Sequence, residues 1–206
     1  MGLYGDQILP RVLDFAMGFK VIAEERKKCL AEVSGRVLEI GFGSGHNLPF
    51  YPKRVETLIA IDPSIVSAKL AQKRIERAAF PVEYLALKGE EIPAESGAFD
   101  SVVSTFTLCT IPGIVEAIRG VARVLKPRGQ LIFFELGLAP DREVQRWQNR
   151  LAPLHHWLFQ GLYLTRDIPA LIRQGGFQIE QMESGYVAQF PKSLSYCWWG
   201  TAMAQS

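Results

Sequence analysis

The feature that most constrains this chain is a glycine-rich turn between two apolar runs. The first run, residues 37–40, includes Glu39 and leads into residues 41–45, which read GFGSG; the second run, residues 57–61, is followed by Asp62. Short apolar runs on either side of a glycine turn predict a strand, a turn that opens a helix, and a second strand. Because glycine lets the backbone turn sharply and lets a ligand approach closely, this stretch predicts a nucleotide-type binding crevice.

The residues around the turn indicate which kind of nucleotide could bind there. A dinucleotide site needs a third glycine at position 46, where this chain has His46. Asp62 stands about 20 residues past the turn, at the tip of the second strand, where a carboxylate can accept both ribose hydroxyls of an adenosine. Glu39 would repel a phosphate and suits a cationic ligand. S-adenosylmethionine has an adenosine, a sulfonium and an ammonium but no phosphate, so these residues favour it over NAD.

Apolar, strand-like runs alternate with helical patterns through the rest of the chain. Further strands are predicted at residues 82–87, 99–104, 130–135, 177–182 and 196–203. Helices are predicted at residues 65–79 (with Ser64 as N-cap), 114–125, 141–160 and 167–174, and a turn at residues 126–129. The last two strands are joined by a loop too short for a crossover helix and should be antiparallel. The sequence therefore predicts an α/β fold: a seven-stranded, mostly parallel sheet with one antiparallel strand and helices on both faces.

The N-terminal segment is expected to cover part of a single domain of residues 1–206. Residues 8–32 predict one helix, whose apolar stripe consists of Ile8, Val12, Phe15, Phe19 and Ile22. We expect this stripe to pack on the domain, with residues 1–34 as a lid over the ligand; a helix lying on a membrane surface is the alternative. Residues 35–135 then form the cofactor-binding core. Residues 136–206 form a helical insertion and a final strand pair on the substrate side.

Composition argues against several classes of protein. The net charge of +2 gives no reason to expect a nucleic-acid partner. The three cysteines are far apart and lack a CxxC pair, so neither a metal site nor a disulfide framework is indicated, and a cytoplasmic location is expected. No run approaches the roughly 20 apolar residues that span a bilayer, so we expect no stable membrane anchor. Peripheral membrane contact through the N-terminal helix stays open, as does the oligomeric state.

Several motifs of this chain resemble those of a known family. Residues 37–45 are similar to the first motif of class I S-adenosylmethionine-dependent methyltransferases, and Asp62 and residues 105–108 and 124–131 are similar to later motifs of that superfamily. More narrowly, residues 47–52, 107–110 and 164–167 resemble the methyltransferase-like thiol methyltransferases and their bacterial relatives. The resemblance covers residues 35–203. It implies a Rossmann-like class I fold and S-adenosylmethionine as cofactor, with S-adenosylhomocysteine as product.

The resemblance also implies which residues line the cofactor. Glu39 would lie near its methionine end, Asp62 would hold the ribose, and Pro63 or Ser64 would lie against the adenine. Gly89 and Glu90 would stand at the adenine edge, and residues 105–107 would back the methionine part. The full predicted set is Glu39, Gly41, Phe42, Gly43, Gly45, Asn47, Asp62, Pro63, Ser64, Gly89, Glu90, Thr105, Phe106 and Thr107.

Catalytic residues are harder to predict because the cofactor carries the activated group and the protein mainly aligns the acceptor with it. A general base is needed only if the acceptor arrives protonated. His156 is the catalytic candidate because it matches a histidine of the thiol methyltransferase-like sequences. Tyr4, His155 and Arg166 are predicted to contact the substrate. Alternatively, one histidine is a packing residue while the other faces solvent, and Arg166 pairs with a carboxylate.

These observations predict a methyltransferase that acts on a small acceptor. The aromatic residues concentrated in the C-terminal part of the chain suit an apolar or aromatic acceptor, and the subfamily resemblance favours a thiol. A quinone-type ring or a phospholipid amine is the alternative acceptor. Alternatives of another class are an NAD-dependent oxidoreductase and a binding module that keeps the cofactor pocket without turnover.

Overall fold

The computed structural model describes residues 4–89 and 92–205 of the chain. Its strands are β1 (Gly35–Ile40), β2 (Val55–Ile61), β3 (Val82–Leu85), β4 (Phe99–Thr105), β5 (Leu125–Leu136), β6 (Phe177–Tyr186) and β7 (Tyr196–Ala204). The helices are α1 (Leu9–Met17), α2 (Lys20–Cys29), α3 (Ile65–Ile75), α4 (Ile114–Val124), α5 (Arg142–Leu158), α6 (Ile168–Gln174) and α7 (Lys192–Ser195). None of the helices in these described ranges is both long enough and apolar enough to cross a membrane.

The strands form a seven-stranded sheet in the order β3-β2-β1-β4-β5-β7-β6. β1 to β5 pair in parallel, and β7 lies antiparallel between β5 and β6. The predicted mostly parallel sheet with one reversed strand is therefore confirmed. From the centre of the sheet, β1, β2 and β3 follow one another outward on one side, and β4 and β5 on the other. A ligand crevice is expected outside the carboxyl ends of these two strands, where the strand order reverses.

The sheet is buried on both faces, which explains why its central strands are continuously apolar. Along β1, Leu38 and Ile40 face a core that includes side chains of α4 and α6. Val37 faces the opposite core, which includes Ala71 of α3 and Leu30, just beyond α2. Rigid packing on both sides fixes the tips of β1 and β4, on which the site is built.

The N-terminal segment differs from the predicted single helix. α1 ends at Met17, and Phe19, just before α2, has an extended backbone with φ −64° and ψ 139°. The prediction of one continuous helix over residues 8–32 is wrong because the chain bends at Gly18 and Phe19. A π-helical turn, Tyr4–Ile8, precedes α1.

The bend changes which side of α1 faces the domain. Ile22 of α2 is buried, whereas three members of the predicted stripe are exposed: Ile8 (46%), Val12 (51%) and Phe15 (73%). Asp14 faces inward instead, with Oδ1 2.9 Å from Nε2 of His46 and 3.0 Å from Nη1 of Arg74. The stripe was expected to pack on the domain, and in α1 this expectation is wrong.

The other differences are local. The predicted turn at residues 126–129 lies inside β5, as an irregularity between Leu125, which pairs with Phe99, and Gln130, which pairs with Ser101. Arg128 has a positive φ of 70° there. α3 ends at Ile75 rather than at residue 79, and β6 extends to Tyr186. None of these differences moves the crevice between β1 and β4.

Candidate functional site

The glycine turn forms one wall of the crevice at the end of β1. The amides of Gly41 and Phe42 both donate to the carbonyl of Ile61 at the end of β2, at 2.8 and 3.1 Å. A Cβ on Gly41 would lie 1.9 Å from Oγ1 of Thr107, whereas a Cβ on Gly43 would meet nothing within 4 Å. The turn is therefore closed against the tip of β4 at Gly41 and open at Gly43, where φ is +57°.

Asp62 ties the glycine turn to the end of β2. Its Oδ2 accepts from the amide of Gly43 and its Oδ1 from the amide of Ser64, both at 2.8 Å. Burial raises the pKa of Asp62, while these amide bonds lower it. The side chain is only partly buried, and a carboxylate has about four acceptor positions, so each oxygen keeps capacity for one more donor.

Glu39 is a buried carboxylate at the end of β1, with an exposed fraction of 1%. It accepts a 2.8 Å hydrogen bond from Nδ2 of Asn47 and a 2.6 Å bond from the hydroxyl of Tyr51. Burial raises the pKa of Glu39 to about 7, against the lowering effects of Tyr51, Arg26 and Asn47. A cationic group brought into this position would favour the ionised carboxylate.

Arg26 of α2 reaches the same place from the N-terminal segment. The side chain is 4% exposed, and Nη1 donates to Oδ1 of Asn47 at 2.7 Å and to Oγ1 of Thr105 at 3.4 Å. Its guanidinium lies 5.4 Å from the ring centre of Phe106. Burial lowers the pKa of Arg26 to about 10, although the charge of Glu39 opposes this. We call Arg26, Glu39, Asn47, Tyr51 and Thr105 the buried polar network.

The tip of β4 has an unusual backbone. Phe106 has a φ of 55°, a left-handed conformation that is unfavourable for a bulky side chain. Its ring packs 4.7 Å from that of Phe134, and its amide donates to the carbonyl of Phe134 at 2.8 Å. Such strained residues persist only where the surroundings hold them, and they cluster at functional sites.

A second buried carboxylate, Glu135 of β5, helps to hold this turn. It accepts from the hydroxyl of Ser104 at 2.6 Å and from the amides of Thr107 at 3.0 Å and Cys109 at 3.3 Å. Burial raises the pKa of Glu135, and these bonds oppose the effect. Glu135 therefore acts on the crevice through Thr107, whose hydroxyl in turn donates to the carbonyl of Gly41 at 3.3 Å.

Comparison with known families agrees with this geometry. A family profile described as "Methyltransferase domain" matches residues 38–133, the span that carries the glycine turn, Asp62 and the tip of β4. The chain belongs to the class I S-adenosylmethionine-dependent methyltransferases.

The names of individual relatives of this methyltransferase refer to different acceptors. Human thiol S-methyltransferase TMT1A is 33% identical over 145 residues, which cover 68% of this chain and 59% of the relative. Phosphatidylethanolamine N-methyltransferase of Cereibacter sphaeroides is 32% identical over 126 residues, covering 59% of this chain and 61% of the relative. The chain thus spans about three fifths of the length of these curated relatives.

Solved structures show the same fold. A Thermotoga maritima protein described as a SAM-dependent methyltransferase and possible histamine N-methyltransferase superimposes with a TM-score of 0.67 at 19% identity. The match covers 97% of this chain and 99% of that one. It supports the Rossmann-like class I fold over almost the whole length of this methyltransferase.

Most of the residues predicted to bind the cofactor are brought together by the methyltransferase fold. Hydrogen bonds link these residues in two sets, one of Glu39, Asn47, Thr105, Thr107 and Gly41 and the other of Gly43, Asp62 and Ser64. The hydroxyl of Ser64 accepts from the amide of Ser67 at 3.1 Å, so Ser64 is the N-cap of α3 as predicted.

The remaining predicted cofactor residues differ in position. The ring of Phe42 is buried against Leu48 in the core and packs on Tyr84, so only its backbone faces the turn. Pro63 is exposed, and Gly89 packs close to Ile111. Gly45 has a φ of +80°, as the glycine pattern suggests, and Glu90 lies outside the described residues.

The predicted catalytic residue, His156, lies on α5. It is exposed, its ring is 4.8 Å from that of Tyr163, and it lines a surface cleft of about 360 Å³. The other residues lining this cleft are Ala152, Pro153, Leu162, Tyr163 and Thr165. Its catalytic role stays a prediction.

The three predicted substrate residues have defined places in the methyltransferase. Tyr4 donates from its hydroxyl to the carbonyl of Leu158 at 2.9 Å. His155 is buried, and its Nδ1 has no hydrogen-bond partner in the described part of the chain. Arg166 donates to the carbonyls of Leu108 at 2.6 Å and Pro112 at 3.3 Å. Among the described residues no carboxylate forms an ion pair with Arg166, which secures the loop after β4 through backbone oxygens.

Two members of the buried polar network were not predicted from the sequence. Arg26 follows Ile22 by four residues, which places it on the apolar stripe of the N-terminal helix pattern, and a charged residue at such a position was the available signal. Tyr51 stands in the short, proline-containing segment 47–52, whose resemblance to the thiol methyltransferase-like sequences was the available signal. Glu135 resembled Glu39 in ending an apolar run, but no motif singled it out.

The described residues contain no group of three or more histidine, cysteine, aspartate or glutamate side chains that could hold a metal ion. The cysteines are free, and burial raises the pKa of the thiols of Cys29, Cys109 and Cys197. Such thiols are protonated near neutral pH and are poor nucleophiles.

Proposed function

We propose that this protein transfers the methyl group of S-adenosylmethionine to a small acceptor, with a thiol as the favoured class. The proposal rests on the presence of two carboxylates at the ends of neighbouring strands that border the crevice. Glu39 is buried at the end of β1, and Asp62 is partly exposed at the end of β2. They suit the two distinct ends of the cofactor, its cationic amino-acid part and its adenosine.

The chain's donors and acceptors fit that cofactor. Asp62 retains acceptor positions for ribose hydroxyls, because each of its oxygens accepts one described backbone hydrogen bond. Glu39 offers a carboxylate to a positive charge, and the open space beside Gly43 lets a ligand approach the backbone. When bound, S-adenosylmethionine supplies a methyl group already activated on a sulfonium. The protein then has to orient the acceptor and exclude water.

A thiol acceptor is supported by the human relative, whose name gives it as a thiol S-methyltransferase. A thiol also needs little help from the protein, because a fraction is already ionised near neutral pH. The cleft beside His156 has a volume in the range of small-molecule sites and is lined mostly by apolar side chains. His156 could accept a proton from a thiol bound there.

The proposal is tested by measuring S-adenosylhomocysteine release with a panel of acceptors: an aliphatic thiol, an acidic aromatic thiol, a quinol, and vesicles containing phosphatidylethanolamine. We expect release with thiols, and loss of cofactor binding in Glu39→Gln. Glu56→Gln is the matched control, because Glu56 is an exposed carboxylate on the neighbouring strand β2. The proposal fails if no acceptor is methylated and calorimetry detects no binding of S-adenosylhomocysteine.

The role of His156 is tested separately with the two thiols. If His156 is a base, His156→Ala slows methylation of the aliphatic thiol, which must lose a proton, and leaves the acidic aromatic thiol unchanged. If His156→Ala changes the rates of both thiols by the same factor, or changes neither, His156 is not a base and only packs against Tyr163.

A phospholipid amine is the second candidate acceptor. It is supported by the Cereibacter sphaeroides relative and by three exposed apolar side chains that could contact a lipid surface: Ile8, just before α1, and Val12 and Phe15 of α1. Preferential turnover on the phosphatidylethanolamine vesicles, together with co-sedimentation of the protein with them, would favour this candidate over the thiol.

A further inference from the structure

We propose that His155 and Ser195 form a polar subsite that binds a hydroxyl group of the methyl acceptor. This inference rests on the proposed transfer of a methyl group to a small thiol, and it narrows that class to thiols that also carry a hydroxyl. It assigns Ser195, which no sequence motif singles out, to the substrate side of the methyltransferase.

Two buried polar side chains in the C-terminal part of the chain lack hydrogen-bond partners. His155 of α5 is 5% exposed, and Ser195 of α7 is 2% exposed. Nδ1 of His155 and Oγ of Ser195 are buried and form no hydrogen bond with any described residue. A buried polar group without a partner is costly, because folding removes it from water without replacing the bonds that it made there. A ligand group that bonds to both side chains would remove this cost.

The two side chains lie on helices that pack against each other, α5 and α7. His155 shares a face of α5 with Gln148, which stands seven residues earlier. Gln148 donates to the carbonyl of Gly137 at 3.0 Å, and the amide of Gly137 donates to the carbonyl of Tyr196 at 3.1 Å. Because Tyr196 directly follows Ser195, this face of α5 is turned toward the end of α7 that carries Ser195.

Apolar side chains connect this pair of helices with the acceptor cleft and the crevice. Phe159 of α5 and Leu194 of α7 pack against one apolar cluster, which includes Leu162. Leu162 also lines the surface cleft proposed for the acceptor. Leu136 packs against the same cluster and against a second one, which Phe106 at the tip of β4 also contacts. The unpaired polar atoms therefore stand in apolar surroundings that extend from the cleft to the crevice.

The two side chains have the chemistry to bind a hydroxyl. Burial lowers the pKa of His155, so its imidazole is neutral near pH 7, with one nitrogen that donates and one that accepts. The hydroxyl of Ser195 can also donate or accept. A ligand hydroxyl does both at once, so a single group can donate to one side chain and accept from the other. An ionised group would have to lose its hydration in apolar surroundings, which is far more costly.

The inference is tested with two matched series of acceptors, alkanethiols of three to six carbons and analogues in which a terminal hydroxyl replaces the last methyl group. Release of S-adenosylhomocysteine gives kcat/KM for each acceptor. For the unaltered protein we expect the hydroxylated thiol to be preferred roughly 10- to 100-fold at the chain length that spans from the methyl donor to the subsite. Comparing this preference between proteins cancels the intrinsic reactivity of the two thiols.

Three variants locate the source of the preference. In Ser195→Ala and in His155→Leu the preference should fall to about 3-fold or less, mainly through a higher KM for the hydroxylated thiol, because the lost bond contributes to binding rather than to the chemical step. Ser193→Ala removes a hydroxyl from the same helix at a partly exposed position and should keep the preference.

The outcomes separate this inference from the proposed function. If neither series is methylated, the proposed thiol acceptor fails and the subsite fails with it. If the unaltered protein methylates both series without preference at any chain length, the proposed function stands and the subsite is overturned, whether or not any variant folds. A preference that persists in Ser195→Ala and in His155→Leu also overturns the subsite.

A second measurement shows whether Ser195 already has a partner inside the protein, such as an internal water molecule. Removing a hydroxyl that is unpaired in the ligand-free protein breaks no hydrogen bond, so Ser195→Ala should unfold at the same urea concentration as the unaltered protein or at a higher one. Unfolding of Ser195→Ala at a clearly lower urea concentration would show that the hydroxyl is bonded within the fold and is not free to bind an acceptor.

Discussion

The hydroxyl of Tyr51 donates a 2.6 Å hydrogen bond to Oε2 of Glu39, the carboxylate at the end of β1. This bond stabilises the charged form of a side chain whose burial favours the neutral form. The balance leaves the pKa of Glu39 at about 7, so that its charge depends on what lies beside it. Several measurable properties of the crevice follow from this relationship.

The affinity for S-adenosylhomocysteine should depend on pH. The ligand's ammonium favours ionised Glu39, and the pKa of Glu39 in the free protein is about 7, so binding below that pH must release a proton. We expect affinity to fall as the pH drops from 8 to 6. The released proton is measured by repeating the calorimetry at pH 6.5 in buffers of different ionisation enthalpy. Binding without proton release at that pH would contradict this description of Glu39.

Tyr51→Phe should shift this pH dependence. Removal of the hydroxyl takes away a bond that lowers the pKa of Glu39, so the carboxyl becomes neutral at a higher pH. We expect roughly 3- to 10-fold weaker binding of S-adenosylhomocysteine at pH 7 and partial recovery at pH 8.5. Tyr196→Phe is the control, because the hydroxyl of Tyr196 bonds to Ser184 on β6 instead. A loss of affinity that is the same at both pH values would point to packing rather than to charge.

The two glycines at positions 41 and 43 should respond differently to the same substitution. Both have positive φ, so alanine carries a backbone cost of about 1–2 kcal/mol at either position. Gly41→Ala adds a clash with Thr107, since the new Cβ would lie 1.9 Å from Oγ1, and we expect marked destabilisation in denaturant unfolding. Gly43→Ala should fold and instead bind S-adenosylhomocysteine roughly tenfold or more weakly, because its Cβ enters the open side of the turn. If Gly43→Ala binds S-adenosylhomocysteine as tightly as the unaltered protein does, the ligand does not use the space beside Gly43.

Asp14 should hold α1 against the domain. Its carboxylate lies between His46 and Arg74, and although partial burial raises its pKa, its bonds to Ser44, Arg74 and His46 give a net lowering. Because its pKa is lowered on folding, Asp14 stabilises the folded state at pH values above its ordinary pKa of 3.8. This stabilisation is lost as the pH falls below 3.8 and through the lowered pKa. We expect Asp14→Ala to cost about 1 kcal/mol and to speed proteolysis within α1 at pH 7. Glu24→Ala, which removes only an exposed ion pair with Lys20, should change neither.

Sequence patterns predicted the parts of this molecule that depend on local chemistry. The glycine turn, the acidic residues Glu39 and Asp62, and the parallel strands all follow from periodicity and residue type over a few positions. The antiparallel pair, β6 and β7, followed from the short loop between them. These features need little knowledge of distant contacts.

Other parts could not be predicted because distant contacts decide them. The exposed side of α1 is set by Asp14 meeting His46 and Arg74, which stand 32 and 60 residues further along the chain. The left-handed backbone of Phe106 is held in part by its contact with Phe134. The residue type alone does not predict this conformation. Arg26 stands within a run of charged residues, and its burial depends on Asn47 and Thr105, neither of which is near it in sequence.

The position of β7 has a consequence for the order in which the sheet can assemble. β7 follows β6 in the chain, yet it lies between β5 and β6 in the sheet. β6 is joined to the rest of the sheet through β7, so it cannot be added before β7 is, whereas β1 to β5 can already pair with one another. A chain truncated before residue 196 should therefore carry a formed nucleotide crevice beside an unpaired C-terminal strand, the segment on which a chaperone would act.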